Sequence, residues 1–186
     1  MAIEKRLTPE ITAKFLYQKV GVVVFIINDE GEVLLLREKT SKTSTAKQAG
    51  EYGVLCETSE DGESWVETTM RGLREELGVD DQRASELLKV DPCNTFLGEG
   101  LFVEGVLARV CVVSWNGTKD EALKLSGDEE VEIVGWENVE NLSAHNLRPG
   151  VRNILGQCLK QDLLNMDRFN FLIPLSVANL GLVENV

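Results

Sequence analysis

Apolar positions along this chain switch between two periods, and the switches lay out an alternating order of strands and helices. Val20 to Ile27 is an almost continuous β-branched run. Asn28, Asp29, Glu30 and Gly31 then supply turn residues before a second apolar run, Val33 to Leu36, which together predict a β-hairpin. Ahead of it, Ile11, Phe15 and Leu16 sit at helical spacing and predict a short helix over Pro9 to Tyr17. Lys39 to Gly50 is dominated by Thr, Ser, Lys and Gly and reads as an exposed loop, basic within its surroundings. Between Ser64 and Leu77, the residues Val66, Met70, Leu73 and Leu77 form one apolar helical stripe, and Gly78 follows where a helix end prefers glycine. Phe102, Val103 and Val106 to Trp115 read as strands closed by Asn116 and Gly117, and Val131 to Trp136 as another. Pro149 to Leu164 predicts a final helix with Val151, Ile154, Leu155, Cys158, Leu159 and Leu163 on one face and Pro149 in its first turn. The apolar tail from Phe169 to Val186, broken at Pro174 and Gly181, is expected to pack against the domain or a second subunit in a homodimer. The pattern predicts one α/β domain with a mixed sheet and no internal repeat.

A chain of 186 residues can bury most of its unfolded surface in a single core. Its 19 Lys and Arg stand against 31 Asp and Glu, a net charge of −12, which opposes a nucleic-acid backbone or an anionic membrane as partner. No signal-peptide core follows Met1 to Arg6, and no stretch approaches the roughly 20 apolar residues of a membrane span, so a cytoplasmic protein is expected. Cys56, Cys93, Cys111 and Cys158 are widely spaced without a C-x-x-C pair, which predicts buried, reduced thiols rather than a zinc site or a disulfide framework.

The chemistry is concentrated between Gly50 and Val79. Two adjacent carboxylates, Glu75 and Glu76, are expected on the solvent face of the central helix, opposite its apolar stripe. Preceded by a tight loop, such a pair can gather hard oxygen ligands around Mg²⁺, which keeps some waters and reaches substrate phosphates. Arg71 lies four residues after Glu67 and four before Glu75. It can orient Glu75 by helical pairing or contact a phosphate itself, and the orienting role is preferred. The segment resembles the Nudix family, whose motif is G-x₅-E-x₇-R-E-U-x-E-E-x-G-U with U a bulky apolar residue. Glu63, Arg71, Leu73, Glu75, Glu76, Gly78 and Val79 match it; Glu57 stands where glycine is expected, and Gly72 where glutamate is expected. Upstream, Gly50, Tyr52, Gly53 and Val54 are similar to a G-x-W-G-U lead-in used by that family, and Glu130, Glu132 and Trp136 resemble its pattern on a late strand.

The resemblance spans roughly residues 20 to 165. It implies a Nudix-like α/β/α sandwich around a central mixed β-sheet, with Mg²⁺ or Mn²⁺ as cofactor. The implied activity is hydrolysis of a diphosphate linkage in a small, nucleotide-like metabolite. Glu63, Arg71, Glu75 and Glu76 are the implied catalytic residues, and Glu75, Glu76 and Glu130 the implied metal ligands, with Glu99 and Glu104 as weaker candidates; Glu57, outside the family pattern, is added as a candidate ligand. Several positions leave alternatives open. Glu63 near the helix start suits a capping acid as well as a functional one. Gly72 either makes space for a neighbouring side chain or substrate, or marks a decayed site, and it costs about 1 kcal/mol of helix propensity against alanine. Glu57 is either a substitute carboxylate or a surface acid of the loop. Arg37, Lys39, Lys42 and Lys47 either steer a diphosphate inward or form a solvated loop. Cys56 invites comparison with isopentenyl diphosphate isomerases, but those use several histidines and this chain has only His145, expected to be structural. The rival to the enzyme is a catalytically weak or inactive Nudix-fold binding or regulatory module, favoured by Gly72.

Overall fold

The β-branched run after Val20 becomes strand β1 (Lys19–Ile27), and an Asx turn follows, in which Asn28 Oδ1 accepts from the Glu30 and Glu32 N–H groups. This turn leads into β2 (Glu32–Glu38). The computed structural model describes residues 19–43, 47–90, 100–103, 106–125, 129–160, 164 and 173–174. The helix expected over Pro9 to Tyr17, Cys93, Glu99, Glu104, Leu163 and all of the tail except Ile173 and Pro174 lie outside these residues. Further strands are β3 (Tyr52–Gly53), β4 (Leu55–Thr58), β5 (Leu88–Val90), β6 (Gly100–Val103), β7 (Val106–Trp115), β8 (Val131–Asn138) and β9 (Ile173–Pro174). The helices are α1 (Trp65–Leu77), α2 (Asp81–Leu87), α3 (Lys119–Leu123) and α4 (Pro149–Lys160).

The predicted hairpin forms but splays at once: β1 and β2 are in register at Ile27 and Val33, then part to other neighbours. β1 pairs in parallel with β7 from Lys19↔Val106 to Ile27↔Ser114, and antiparallel with β4. β2 pairs antiparallel with β8, which places Glu38 opposite Val131. The main order is β3-β2-β1-β7-β5-β9, so the sheet is mixed, as expected.

Successive side chains of β1 point to opposite faces of the sheet, and both faces are covered. Val22, Val24 and Ile26 pack with the α1 stripe of Val66, Met70, Leu73 and Leu77, while Val23, Phe25 and Ile27 pack with Val151, Ile154, Leu155 and Cys158 of α4. Two cores on either side of one sheet make the α/β/α sandwich. Leu159 departs from the expected apolar face of α4: it is 45% exposed.

Helix α1 begins at Ser64, whose hydroxyl accepts from the Glu67 N–H while the Glu67 carboxylate accepts from the Ser64 N–H, a reciprocal capping box. It ends at Gly78, in the left-handed region at φ 65°, where the Gly78 N–H reaches the Arg74 carbonyl and the Val79 N–H the Leu73 carbonyl. Leu73 is fully buried between helix and sheet. Leu73→Ala is expected to cost about 2–5 kcal/mol, read as a fall in the urea midpoint at constant m-value; a cost below about 1 kcal/mol would mean that α1 does not carry the core.

Candidate active site

The carboxylates singled out in the sequence fall into two neighbouring groups, each organised by one cation. Arg71, on the second turn of α1, centres the first. Its Nε and Nη2 bond the two oxygens of Glu63 at 2.8 and 2.9 Å, and Nη2 also donates to the Thr58 carbonyl at 2.6 Å. Its Nη1 meets Glu57 of β4 at 3.1 Å and Glu75 at 3.4 Å. The fork geometry of a guanidinium suits this role, because it fixes one carboxylate with two bonds and still presents a third nitrogen to others. Glu63 is therefore an anchor for Arg71 rather than the helix cap, which Ser64 and Glu67 provide. It also accepts from the Glu60 N–H and the Thr68 hydroxyl. Hydrogen bonds from Arg71 outweigh burial and, with the Glu60 N–H, hold the Glu63 carboxyl down at about 2; the same bonds raise Arg71 further above its ordinary value.

A depressed carboxyl contributes stability above its unfolded value near 4.5, and that stability is lost as pH falls toward about 2. Glu63→Gln is accordingly expected to destabilise the protein by about 1.5–3 kcal/mol at pH 7. The difference from wild type should close as the pH of a urea denaturation series falls from about 4.5 to about 2; a pH-independent difference would remove the ionic account.

The second group surrounds Lys47. Its Nζ lies 3.4 Å from Glu38 of β2, 3.8 Å from Glu76 of α1 and 3.4 Å from Glu130, which immediately precedes β8. The β2–β8 pairing brings two of these acids together, because the Lys39 N–H donates to the Glu130 carbonyl one step beyond the Glu38↔Val131 pair. Arg148, buried ahead of α4, donates to Glu38 Oε1 at 2.9 Å, while Glu38 Oε2 is buried with no hydrogen-bond partner. Burial pushes the Glu76 carboxyl up to about 8, opposed by the Lys47 ammonium and reinforced by the charges of Glu57 and Glu38. Burial pulls Lys47 down, but Glu76 and Glu38 outweigh it and leave the ammonium above its ordinary value. For Glu130, burial is outweighed by Lys47 and Lys42, and its carboxyl lies below the usual range.

Two expectations are corrected here. Glu75 and Glu76 do not share a solvent face: Glu75 is exposed, but Glu76 is only 7% exposed, because it follows Leu73 by three residues and adjoins Leu77 at the edge of the buried stripe. Lys47 is not part of a solvated loop, being 7% exposed. Its side chain turns inward to the three acids, and the Lys-rich composition of the loop gave no sign of this. Glu38 and Arg148 were likewise missed, since their pairing joins segments far apart in the chain. His145 is structural, within 2.9 Å of Glu137 and against the Tyr52 ring. The half-buried Cys56 donates to the Val54 carbonyl, and burial pushes its thiol up to about 12, which leaves no thiolate for isomerase-like chemistry.

Gly72 and Glu57, the two departures from the motif, face each other. A Cβ on Gly72 would come within 3.3 Å of Glu57 Cβ and 3.2 Å of Leu55 Cδ2. The stem of Glu57, on the adjacent strand, thus fills the space over the glycine.

The donors are carboxylate oxygens, the ligand type that Mg²⁺ and Mn²⁺ favour. Glu38 Oε2, orphaned beside Lys47, shows acceptor capacity in excess of the protein's own donors. The set fits a divalent ion in kind. Among the described residues, however, no three His, Cys, Asp or Glu side chains already form a metal cage, and an ammonium lies among the acids instead.

Comparison with known proteins agrees with this architecture. A profile of the NUDIX domain matches residues 17–158. An ADP-ribose pyrophosphatase from Streptococcus suis superposes with a TM-score of 0.52 at 14% identity, covering 82% of this chain and 94% of that one. An Ap4A hydrolase from C. elegans gives 0.54 at 15% identity, covering 76% and 96%, and a Nudix hydrolase from M. smegmatis gives 0.54 at 14%, covering 77% and 84%. At these identities the structural likeness speaks for the fold. No curated protein sequence matches the chain. No helix among the described residues is long and apolar enough to cross a membrane.

Proposed function

Because this chain belongs to the Nudix family, we propose that it is a divalent-metal-dependent hydrolase that cleaves a diphosphate linkage in a small, nucleotide-like molecule. The observation that carries this reading is the facing of Glu57 and Gly72: an acid stands on β4 directly opposite the position where α1 lacks one, which supports a compensated rather than a decayed site. The activities named for the S. suis and C. elegans neighbours, ADP-ribose pyrophosphatase and Ap4A hydrolase, support the substrate class.

In this reading Glu57, Glu75, Glu76 and Glu130 hold Mg²⁺ or Mn²⁺. When bound, the ion supplies charge neutralisation for the diphosphate and a more acidic water. The chain's own residues set up the site. Glu63 locks the guanidinium of Arg71 through two bonds, and Arg71 in turn aims Glu57 and Glu75 from opposite elements. Arg71 acts by positioning these carboxylates, since Glu63, Thr58, Glu57 and Glu75 already engage its nitrogens. The buried Glu76 lies where water is scarce, so its charge acts at low dielectric on whatever cation it meets.

The second reading, a binding or regulatory module without turnover, is favoured by the Lys47 ammonium lying among the acids. A panel of ADP-ribose, Ap4A, nucleotide sugars and nucleoside triphosphates, assayed with Mg²⁺ or Mn²⁺, separates the two. Turnover of one compound at an ordinary enzymatic rate, of order 1 per second or faster, supports the hydrolase; saturable binding without product across the panel supports the module.

A further inference from the structure

Lys47 carries three N–H donors and is met by three carboxylates, from Glu38, Glu76 and Glu130, on three different segments. None of these contacts is short. At 3.4, 3.8 and 3.4 Å they exceed the roughly 2.8 Å of a well-made ammonium–carboxylate bond, and Glu38 Oε2 makes no hydrogen bond at all. The ammonium is enclosed by the acids without being tightly bonded to them.

Its backbone, in contrast, is fixed. The Lys42 N–H donates to the Lys47 carbonyl at 3.0 Å and the Lys47 N–H to the Lys42 carbonyl at 3.1 Å, while the next residue, Gln48, donates its N–H to Glu51. Only the four-carbon side chain needs to swing for the ammonium to leave. Lys42, whose own ammonium is 3.5 Å from Glu130, shows that the mouth of the cluster is within reach of a lysine held nearer to solvent.

We propose that in the metal-free protein the Lys47 ammonium, also in contact with Glu38, holds the place beside Glu76 and Glu130 that a divalent ion takes, so that the ion binds only by displacing it. This inference rests on the metal-dependent reading above and deepens it. The physical ground is shared space: an ion drawing in these oxygens would sit where the ammonium now lies, and two cations pressed to contact distance there repel. The ion wins through charge and proximity, since Mg²⁺ takes oxygen ligands at about 2.0–2.1 Å, far inside the present ammonium distances. Lys47 thereby stabilises the fold in the absence of metal and weakens metal affinity when metal arrives.

The test is Mn²⁺ binding to the full chain without substrate, followed by electron paramagnetic resonance, for wild type, Lys47→Met and Lys47→Arg. Lys47→Met, which keeps the length and removes the charge, should bind Mn²⁺ tighter by roughly tenfold or more, and Lys47→Arg should not. In wild-type protein with ¹³Cε-labelled lysine, the Lys47 resonance should shift during a Mg²⁺ titration with the same midpoint as metal binding. This second measurement decides the matter if Lys47→Met does not fold. Unchanged or weaker Mn²⁺ affinity in Lys47→Met, or a Lys47 resonance that stays in place while the site fills, overturns the proposal. If wild type hydrolyses a diphosphate with metal while either of those results is found, the placeholder role fails and the hydrolase reading stands. If wild type binds no Mn²⁺ up to millimolar concentrations, the metal-dependent reading fails and takes the placeholder with it.

Discussion

Glu76→Gln should lower metal-dependent kcat/KM on the order of 10³-fold while leaving the protein folded. A bound divalent ion is worth several kcal/mol to a developing phosphoryl charge, and about 1.4 kcal/mol corresponds to each factor of ten. Glu76 is the most buried of the carboxylates proposed to hold the ion. Folding should survive because glutamine reproduces the neutral carboxyl that burial already favours. The sign of the pH effect follows from the same burial. A carboxyl raised from 4.5 to about 8 contributes stability that is fully present below 4.5 and is lost as pH rises through about 8. Without metal, wild type should therefore lose stability between about pH 5 and pH 9 relative to Glu76→Gln, as read from urea midpoints. Glu75→Gln provides the contrast. This side chain is 57% exposed and meets Arg71 at 3.4 Å, so its loss should cost closer to tenfold in rate and little in stability. Equal rate losses in the two variants, or a Glu76→Gln protein with wild-type metal dependence, would defeat the assignment.

What the sequence disclosed and what it hid divide along a physical line. Helix α1 was legible because its stripe and Gly78 are local signals, read within one segment. The α/β/α layering was less so. β1 is buried on both faces, so its run of Val, Phe and Ile shows no alternation that would say which residue meets which helix. Arg71 as an orienting residue could be read from helical spacing to Glu75, but its firmest partner, Glu63, lies across the helix start, where the sequence left a capping acid and a functional one equally open. Lys47 was illegible in principle. Its burial depends on acids supplied by β2, α1 and the approach to β8, and the composition of its own loop points the other way. Glu76 was misplaced because a residue at the edge of a helical stripe is buried or exposed according to the width of the sheet beneath it, which no periodicity records.

The Glu57 and Gly72 pair was visible in the sequence as two separate departures and becomes one feature when β4 packs on α1. If the strand carboxylate substitutes for the helix carboxylate, each single reversal should harm the protein for a different reason. Glu57→Gly removes the acid that meets Arg71 at 3.1 Å and whose oxygen also accepts from the Thr58 N–H; metal-dependent turnover should fall on the order of 10²-fold. Gly72→Glu relieves the glycine's helix cost of about 1 kcal/mol. It also forces a Cβ to 3.2–3.3 Å from Leu55 and Glu57 and sets a second carboxylate beside the first. Stability and rate should both drop, and the drop in rate should shrink where pH is low enough to protonate one of the two acids. The double variant Glu57→Gly, Gly72→Glu removes the stem that blocks the new side chain and returns one carboxylate to the gap from the opposite wall. Its kcat/KM should recover at least about tenfold over the worse single variant, a coupling of about 1.4 kcal/mol or more in a double-mutant cycle. Additive losses in the cycle would mean that the two residues share a boundary but not a task, and Gly72 would then mark lost catalysis in a fold kept for binding.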